Sequence, residues 1–245
     1  MEGPTVRAIA DKMSGFREKE VLSASGNTKI EKQRAEGEKV RAIFSRGKNL
    51  LIKFRDFSIR IHFLMYGSYR INEDREGMSP RLSLVFESGF VNFYNCSVKL
   101  LRNEEIDGLY PESLDITSPA WNLEKAMGLL VKAKEKVFCD ILLDQDIFLG
   151  IGNIIKNEAL FLSRTHPLSV PAGMSNEQAQ RIVMKAREFS MQFYEIKKRD
   201  EALKPHLKIY QHRKCPVCKG KVTGKKTGER NRFSYFCPAC QALYA

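Results

Sequence analysis

The chain has 245 residues, 43% of them hydrophobic, which allows one large folded domain or two modest ones. Lysine and arginine outnumber aspartate and glutamate by 41 to 29, giving a net charge of +12 that indicates a polyanionic partner. No apolar run reaches membrane-spanning length, and the first residues lack the basic and apolar regions of a secretory signal. These features argue against an integral membrane protein.

The N-terminal part of the sequence predicts one helix followed by a β-rich region. Apolar residues recur at helical spacing within Thr5–Phe16, and Pro4 stands where the start of a helix tolerates proline. From about Val21 to Leu101 the hydrophobic period changes to two, as in Phe57–Phe63, and turn-forming residues separate the segments. About eight short strands beside one helix are typical of a β-sandwich or a flattened barrel.

The C-terminal part predicts helices followed by a basic segment. A loop with several acids and prolines, Asn103–Pro119, marks a domain boundary. The helical periods beyond it predict four helices, at Trp121–Val131, Val137–Leu143, Gly152–Leu162 and Ser175–Phe193. We therefore expect four parts, namely residues 1–105, a linker of residues 106–118, a helical domain of residues 119–203, and a terminal segment of residues 204–245.

Four of the six cysteines form two Cys-x-x-Cys pairs separated by eighteen residues, Cys215 with Cys218 and Cys237 with Cys240. This spacing is typical of a zinc finger in which four thiolates bind one ion, and a pair of disulfides is the alternative. Four thiolates leave no open position for a catalytic water, so the predicted Zn²⁺ is structural. The other two, Cys96 and Cys139, have no neighbour at ligand spacing and are interpreted as buried apolar side chains.

Three motifs, in one order, extend over essentially the whole chain. They are Glu2-Gly3-Pro4, the run from Leu143-Asp144-Gln145 through Gly150-Ile151-Gly152-Asn153 to Glu158, and the cysteine-rich end. Together they resemble the Fpg/Nei family of DNA glycosylases, which includes formamidopyrimidine-DNA glycosylase and endonuclease VIII. The resemblance implies an α+β multidomain fold, with an N-terminal β-sandwich catalytic domain, a helical domain containing a helix–two-turn–helix element, and a C-terminal zinc finger.

The resemblance also implies a reaction, base excision repair by a DNA glycosylase with AP-lyase activity. An amine attacks the sugar C1′ and forms a Schiff base, after which β- or β,δ-elimination nicks the strand. An α-amine titrates near pH 7.7–8.0 and a lysine near 10.4, so an N-terminal amine is better suited to attack at neutral pH. The expected partner is double-stranded DNA with damaged bases or abasic sites. We expect a monomer that is cytoplasmic and associated with the nucleoid.

The sequence departs from the family at the nucleophile. Family members carry an N-terminal proline followed by glutamate, exposed when the initiator methionine is removed, whereas here Glu2 follows Met1 directly. Because Glu2 is too large for efficient removal of Met1, the nucleophile position falls on the primary α-amine of Met1. Its imine must be protonated to accept electrons, so we predict weak lyase activity relative to base excision. An inactive damaged-DNA-binding protein, or a start that is not the native one, is the alternative.

Three further residues match the family's catalytic machinery. Glu2 matches the carboxylate that passes protons to the deoxyribose ring oxygen; the alternative is a helix N-terminal charge. Lys48, which follows Arg46-Gly47, matches a lysine that contacts the phosphate beside the lesion; the alternative is a solvated charge at a strand edge. Glu158 matches an acid that supports the catalytic centre.

Other residues match the family's DNA contacts. Leu64, Met65 and Tyr66 match the residues that fill the space left by the everted base, and ordinary β-core is the alternative. Asn153 and Arg232 match phosphate-binding residues. The glycines at 150 and 152 would let a phosphate approach the backbone and the free amides of the next helix. Phosphate contacts are also predicted for Arg230, Lys225 and Lys226, which lie in the basic turn between the two cysteine pairs. A solvated turn is the alternative.

Substrate preference depends on a loop that purine-selective family members fold over the everted base. The stretch from Glu195 to Lys208, where this loop would lie, is short and favours oxidised pyrimidines. A zinc-ribbon protein of the ribosome or the transcription apparatus is another alternative. That alternative leaves the Gly150–Glu158 motif and the Glu2-Gly3-Pro4 start unexplained.

Overall fold

The computed structural model describes all 245 residues, which form two compact units. The first, here called the β unit, contains Met1 and Thr5–Pro111. The second, the helical unit, contains Glu2–Pro4 and Glu112–Ala245. The boundary falls inside the loop predicted to mark it, and the finer division into four parts stays a prediction. None of the helices combines the length and hydrophobicity needed to cross a membrane.

The β unit is built from six antiparallel strands and the helix that opens the chain. Their bounds are α1 Gly3–Lys12, β1 Val21–Ser25, β2 Ala42–Arg46, β3 Asn49–Lys53, β4 Phe57–Ile71, β5 Leu82–Phe86 and β6 Gly89–Arg102, followed by the short helix α2 Ile106–Leu109. The strand order is β1-β5-β6-β4-β3-β2. There are six strands rather than about eight, because β4 and β6 have 15 and 14 residues and each replaces two short strands.

One apolar core serves the whole β unit. Residues from all six strands and from α1 share it, including Val6 and Met13 from the predicted helical stripe. The two edge strands, β1 and β2, contribute to the same core as the four strands between them. The pairing of β4 with β6 shifts register between Phe63 and Ser68, which is the kind of irregularity that bends a strand.

The helical unit contains the four predicted helices and a terminal hairpin. Their bounds are α3 Leu123–Lys132, α4 Phe138–Ile141, α5 Asn153–Leu162, α6 Asn176–Lys198, β7 Thr223–Thr227 and β8 Arg232–Phe236. Helix α4 is shorter than predicted, and α6 continues past the predicted end at Phe193. A capping box of Ser175 and Gln178 fixes the start of α6, since each side chain accepts a backbone N–H of the other residue. The expected fold class is confirmed in each of its parts.

Helix α5 lies at the centre of the helical unit. Its residues Ile155, Ala159 and Leu160 are buried in the core with α6. The segment around the hairpin β7–β8 has only a small apolar cluster, made of Phe161 from α5, Ile209, Val222 and two of the cysteines. So small a core gives little stability, and the hairpin depends on other contacts.

Candidate nucleic-acid-binding site and zinc centre

The four cysteines of the predicted zinc site converge. Their Sγ atoms all lie within 4.8 Å of one another, with Cys215 and Cys240 at 3.8 Å and Cys218 and Cys237 at 3.4 Å. A tetrahedral ion with Zn–S bonds of about 2.3 Å places its sulfurs about 3.8 Å apart, so the cluster fits zinc. These separations are far beyond a disulfide bond, which contradicts the disulfide alternative. The other two cysteines are buried, as predicted, in other parts of the chain.

The turn of the zinc-finger hairpin is bonded to helix α4. The carboxylate of Asp140 accepts hydrogen bonds from the backbone N–H groups of Glu229 (2.7 Å) and Arg230 (3.1 Å). Gly228 has φ +69°, and a side chain there would collide with Asp140. The guanidinium of Arg230 lies 3.4 Å from the carboxylate of Asp144. Arg230, predicted to contact phosphate, therefore helps hold the turn in place.

Helix α5 fixes the strand that carries Arg232. Lys156 Nζ donates to the carbonyl of Phe233 and to the hydroxyl of Ser234, both at 2.9 Å. Asn157 Oδ1 accepts the backbone N–H of Tyr235 at 2.6 Å. The side chain of Arg232, at the first position of β8, stays exposed. The strand is thus held by buried polar contacts while its arginine faces solvent.

Lys156 was not among the predicted site residues. It is 0% exposed, and burial lowers the pKa of its ammonium to about 8. The positive charge of Arg232 lowers this pKa further, whereas nearby acids, Asp140 and Glu2 among them, oppose the shift. The run Lys156-Asn157-Glu158 contains three successive polar residues in a helix, a pattern that by itself indicates a solvated face rather than a buried one.

Glu158 is also 0% exposed and binds backbone. Its two oxygens accept hydrogen bonds from the N–H groups of Lys208 (2.9 Å), Ile209 (3.0 Å) and Tyr210 (2.8 Å). This geometry makes Glu158 a positioning residue for the segment that leads into the zinc finger. The predicted support for catalysis stays a prediction, and it would act through this segment.

Glu2 caps helix α5 rather than its own helix. Its carboxylate accepts hydrogen bonds from the N–H groups of Ile154 (2.7 Å) and Ile155 (3.2 Å). A Cβ on Gly152 would lie 2.4 Å from Glu2 Cδ, and the N–H of Gly3 donates to the carbonyl of Gly150 at 2.8 Å. The glycines therefore make room for the Glu2-Gly3 segment. We predicted that the two glycines let a phosphate reach free amides at the start of α5. That prediction is wrong for the N–H groups of Ile154 and Ile155, because both donate to Glu2.

Residues from all three sequence motifs meet around Tyr210. Burial raises the pKa of this phenol, and a hydrogen bond with the Asn153 side chain opposes the rise. The charges of Glu2 and Arg232 also act on the phenol, with opposite signs. The ring lies edge-on to Tyr235, with centroids 5.2 Å apart. The structure thus brings Glu2, Asn153 and Arg232 into one cluster. Tyr210 was not predicted, although its place between the basic stretch Lys197–Lys208 and the first cysteine of the finger, Cys215, could have indicated it.

Lys48 lies in the turn between β2 and β3, half-buried, in a second positive cluster within the β unit. Burial lowers the pKa of His62, and the charges of Arg60, Lys48 and the Met1 α-amine lower it further. His62 Nδ1 lies 3.2 Å from Asn49 Oδ1. The neutral form of His62 is therefore favoured beside the amine and Lys48. His62 was not predicted as a site residue.

The three apolar residues predicted to fill a vacated base stack are exposed at the irregularity in β4. Leu64, Met65 and Tyr66 expose 47%, 68% and 86% of their surface, so ordinary β-core is wrong. Tyr66 has φ +64°, which is strained for a bulky residue. Asn95 holds the segment by donating to the carbonyl of Met65 at 2.6 Å. An exposed apolar tip of this kind is suited to intercalation.

The fold and the site define a class: two-unit proteins with a β-sandwich, a helical unit and a four-cysteine finger that presents basic residues. A model of the formamidopyrimidine-DNA glycosylase N-terminal domain matches residues 3–100, and one of the formamidopyrimidine-DNA glycosylase H2TH domain matches residues 113–199. The two matches occur in family order and leave the zinc finger as the remaining part. The chain belongs to the Fpg/Nei family of DNA glycosylases.

Individual proteins agree with this assignment. Endonuclease 8-like 3 of Mus musculus is 40% identical over 201 residues, which are 80% of this chain and 33% of that protein. Endonuclease 8-like 2 of Bos taurus is 33% identical over 197 residues, 75% of this chain and 58% of that protein. The chain thus spans about a third of the length of its Endonuclease 8-like 3 relatives. The fold is shared with Lactococcus lactis Fpg in a complex with abasic-site DNA (TM-score 0.86, 20% identity, 99% of this chain and 100% of that chain).

Proposed function

We propose that this protein is a base-excision-repair DNA glycosylase with AP-lyase activity that acts on oxidised bases in duplex DNA. The observation that carries the proposal is the start of α5, where Glu2 accepts the N–H of Ile154, next to Asn153, and where Lys156 holds the strand that begins with Arg232. Family membership supports the reaction class, and the fold is shared with a protein crystallised on abasic-site DNA. Lys48 supplies a further phosphate contact from the β unit.

The α-amine of Met1 is the proposed nucleophile. The neutral amine attacks C1′, the bond from C1′ to the base breaks, and the base leaves with that electron pair. The attached nitrogen is then an ammonium and gives up one proton, which balances the proton that the departing base takes up. Opening of the sugar ring transfers the C1′–O4′ electron pair to O4′, which Glu2 protonates, and leaves an iminium at C1′. Loss of a C2′ proton then expels the 3′ phosphate. Because the iminium of a primary amine can lose its N–H proton and become a neutral imine, which accepts electrons poorly, we expect lyase activity to lag behind base release.

Both polar and apolar side chains contact the distorted duplex. Asn153 and Arg232 bind phosphates flanking the lesion, and the exposed apolar tip Leu64–Tyr66 enters the vacated stack. The zinc ion, when bound, holds the hairpin that presents Arg232. The ion supplies no chemistry to the reaction, since four thiolates complete its coordination.

The proposed substrates are oxidised pyrimidines. Helix α6 continues to Lys198, and Glu158 fixes the backbone from Lys208 onward, so the chain between them is short. This segment has too few residues to form a long loop that folds over a purine. Localisation in the cytoplasm with the nucleoid and a monomeric state remain part of this proposal.

A second candidate function is damaged-DNA binding without catalysis. It is favoured by the replacement of the family's N-terminal proline and by the two α5 amides that hold the Glu2 carboxylate. Those donors stabilise the negative carboxylate, whereas proton delivery to the sugar needs the acid form.

Borohydride trapping separates the two candidates. The full chain, with its N-terminal residue established by intact mass, is incubated with borohydride and duplexes carrying an abasic site, an oxidised pyrimidine or 8-oxoguanine. We expect a covalent adduct on residue 1, with the oxidised pyrimidine processed faster than the purine. The matched variant Glu2→Gln keeps the shape of the side chain, and we expect its excision rate to fall about 100-fold or more while binding persists.

Two results would contradict the proposal. Tight binding to the same duplexes with neither adduct nor released base would assign the protein to the non-catalytic class. An adduct that maps to a lysine, or an excision rate unchanged in Glu2→Gln, would keep the enzyme but reject the proposed groups.

A further inference from the structure

The zinc finger contains a cavity that the proposed lesion site does not use. It has a volume of about 700 Å³, within the range of small-molecule binding sites. It is lined by Gln211–Lys214, Lys219, Lys221, the buried Val222, Gly224 and Tyr235. None of Glu2, Asn153 or Arg232 lines this cavity.

The lining of the cavity carries positive charge and no acid. Arg213, Lys214, Lys219 and Lys221 line it, no acid does, and none of these four side chains forms an ion pair. Lys214 and Lys221 are paired across an antiparallel bridge, which sets two like charges opposite each other. Like charges placed opposite each other repel, and an anion bound between them would relieve that repulsion. The arrangement is therefore unfavourable for the protein alone and favourable for an anionic ligand.

The cavity also has an aromatic wall that is held rigidly. The backbone N–H of Tyr235 is bonded to Asn157, and its ring packs edge-on against Tyr210 and stacks with Phe233. A Cβ on Gly224 would lie 3.0 Å from the Tyr235 ring, so glycine leaves that wall uncovered. A half-exposed ring next to several cations is the combination that nucleic-acid-binding proteins use for an unstacked base and its phosphate.

We infer that this cavity binds one nucleotide of a nucleic-acid strand, at a place separate from the lesion site. Lys214 and Lys221 bind its phosphate together, Arg213 extends the binding along the backbone, and the base lies against Tyr235. The ordinary interpretation of such a surface is a solvated basic turn. A solvated turn does not explain why two lysines oppose each other beside an uncovered ring.

The test uses the full zinc-loaded chain and a fluorescein-labelled ten-residue oligothymidylate, with binding followed by anisotropy at several salt concentrations. In the double variant Lys214→Gln/Lys221→Gln we expect affinity to fall about 10-fold. The slope of log K against log salt should decrease by about 0.7 for each phosphate that the variant no longer neutralises. The matched control Lys132→Gln/Lys134→Gln removes the same charge from exposed positions at the end of α3, and we expect it to change affinity less than twofold.

A second measurement needs no variant. The wild-type chain is photo-crosslinked to a bromodeoxyuridine oligonucleotide, and we expect the crosslinked peptide to contain Tyr235. An equal decrease of affinity in the two double variants, or crosslinks confined to peptides that do not line the cavity, would overturn the inference. Because both experiments measure binding to an undamaged strand, a failure of the borohydride test leaves their outcome unaffected.

Discussion

The β unit and the helical unit hold their predicted DNA-contacting residues in opposite ways. In the β unit, Leu64, Met65 and Tyr66 project from an irregularity in a strand, beside a large apolar core that does not need them. In the helical unit, the exposed Arg232 depends on Lys156 and Asn157, which are both 0% exposed. The predicted DNA contacts of the β unit are thus not needed for its packing. Those of the helical unit rest on polar contacts that are part of its interior.

The difference follows from the size of the two cores. Six strands and a helix bury enough apolar surface to leave their turns free, whereas the hairpin has a small cluster that cannot stabilise it alone. Buried hydrogen bonds from α5 supply part of the missing stability, and the proposed zinc ion, when bound to the four cysteines, would supply more. We therefore expect changes near the β-unit site to affect function alone, and changes beneath the helical-unit site to affect stability first.

The largest effect is expected from loss of the metal. In Cys237→Ser the zinc content should fall to near zero, because one of the four thiolate ligands is lost. The hairpin then loses the stabilisation by a structural zinc ion, which is about 10–16 kcal/mol in folded zinc fingers. Hydrogen exchange should then show reduced protection across Thr223–Phe236 and unchanged protection in β3 and β4. Cys96→Ala, a buried cysteine of the β unit, is the control and should retain the metal. If the amides of the hairpin stay protected from hydrogen exchange in the zinc-free variant, the expectation that the helical unit's site depends on the metal is contradicted.

The next effect tests the buried acid of α5. Glu158→Gln places an amide donor against backbone N–H donors, and we expect the free energy of unfolding to fall by about 3 kcal/mol. Urea titration can follow it through Trp121, the only tryptophan and a residue of the helical unit. Glu188→Gln, which removes an exposed pair with Lys185, should cost less than about 0.5 kcal/mol. Similar values for the two variants would mean that burial does not matter at position 158.

A third effect is pH-dependent. The pKa of Lys156 is about 8 in the folded chain and near its ordinary 10.5 when unfolded, so between these pH values the unfolded state binds more protons. The free energy of unfolding should therefore rise with pH across this window, by at most about 3 kcal/mol from this group, and that gain is absent below pH 8.

Lys156→Met provides the reference for this measurement. Subtracting its stability from that of the wild type at each pH removes the contribution of all other groups, and the difference should increase from pH 8 to pH 10.5. A flat difference would show that the ammonium of Lys156 is effectively solvated in the folded chain.

The smallest effect on stability is expected in the β unit. Met65→Ser alters a side chain that is 68% exposed, and we expect the free energy of unfolding to change by less than about 0.5 kcal/mol. Base release from duplex DNA should nevertheless slow about 10-fold, because the vacated stack is no longer filled. Met78→Ser, at a position 43% exposed in the same unit, is the control. Excision rates that agree between the two variants would reject the intercalation role.

Local pattern determined a large part of this protein. The alternation from Val21 to Leu101 predicted the β region, the 3.6-residue periods predicted the four helices, and the spacing of the cysteines predicted their convergence. The physical reason is that hydrophobic period and ligand spacing act over a few residues, so they can be read along the chain. The three motifs, in their order along the chain, also indicated the family.

The pairing of polar groups, in contrast, was settled by packing between distant segments. Glu2 caps a helix that begins at Asn153, and Arg230 pairs with an acid far back in the chain, contacts that no local pattern contains. The polar run Lys156–Glu158 resembles a solvated face until the zinc finger and its leading segment cover it. Burial and hydrogen-bond partners depend on which elements pack together, and that is established only when the chain folds.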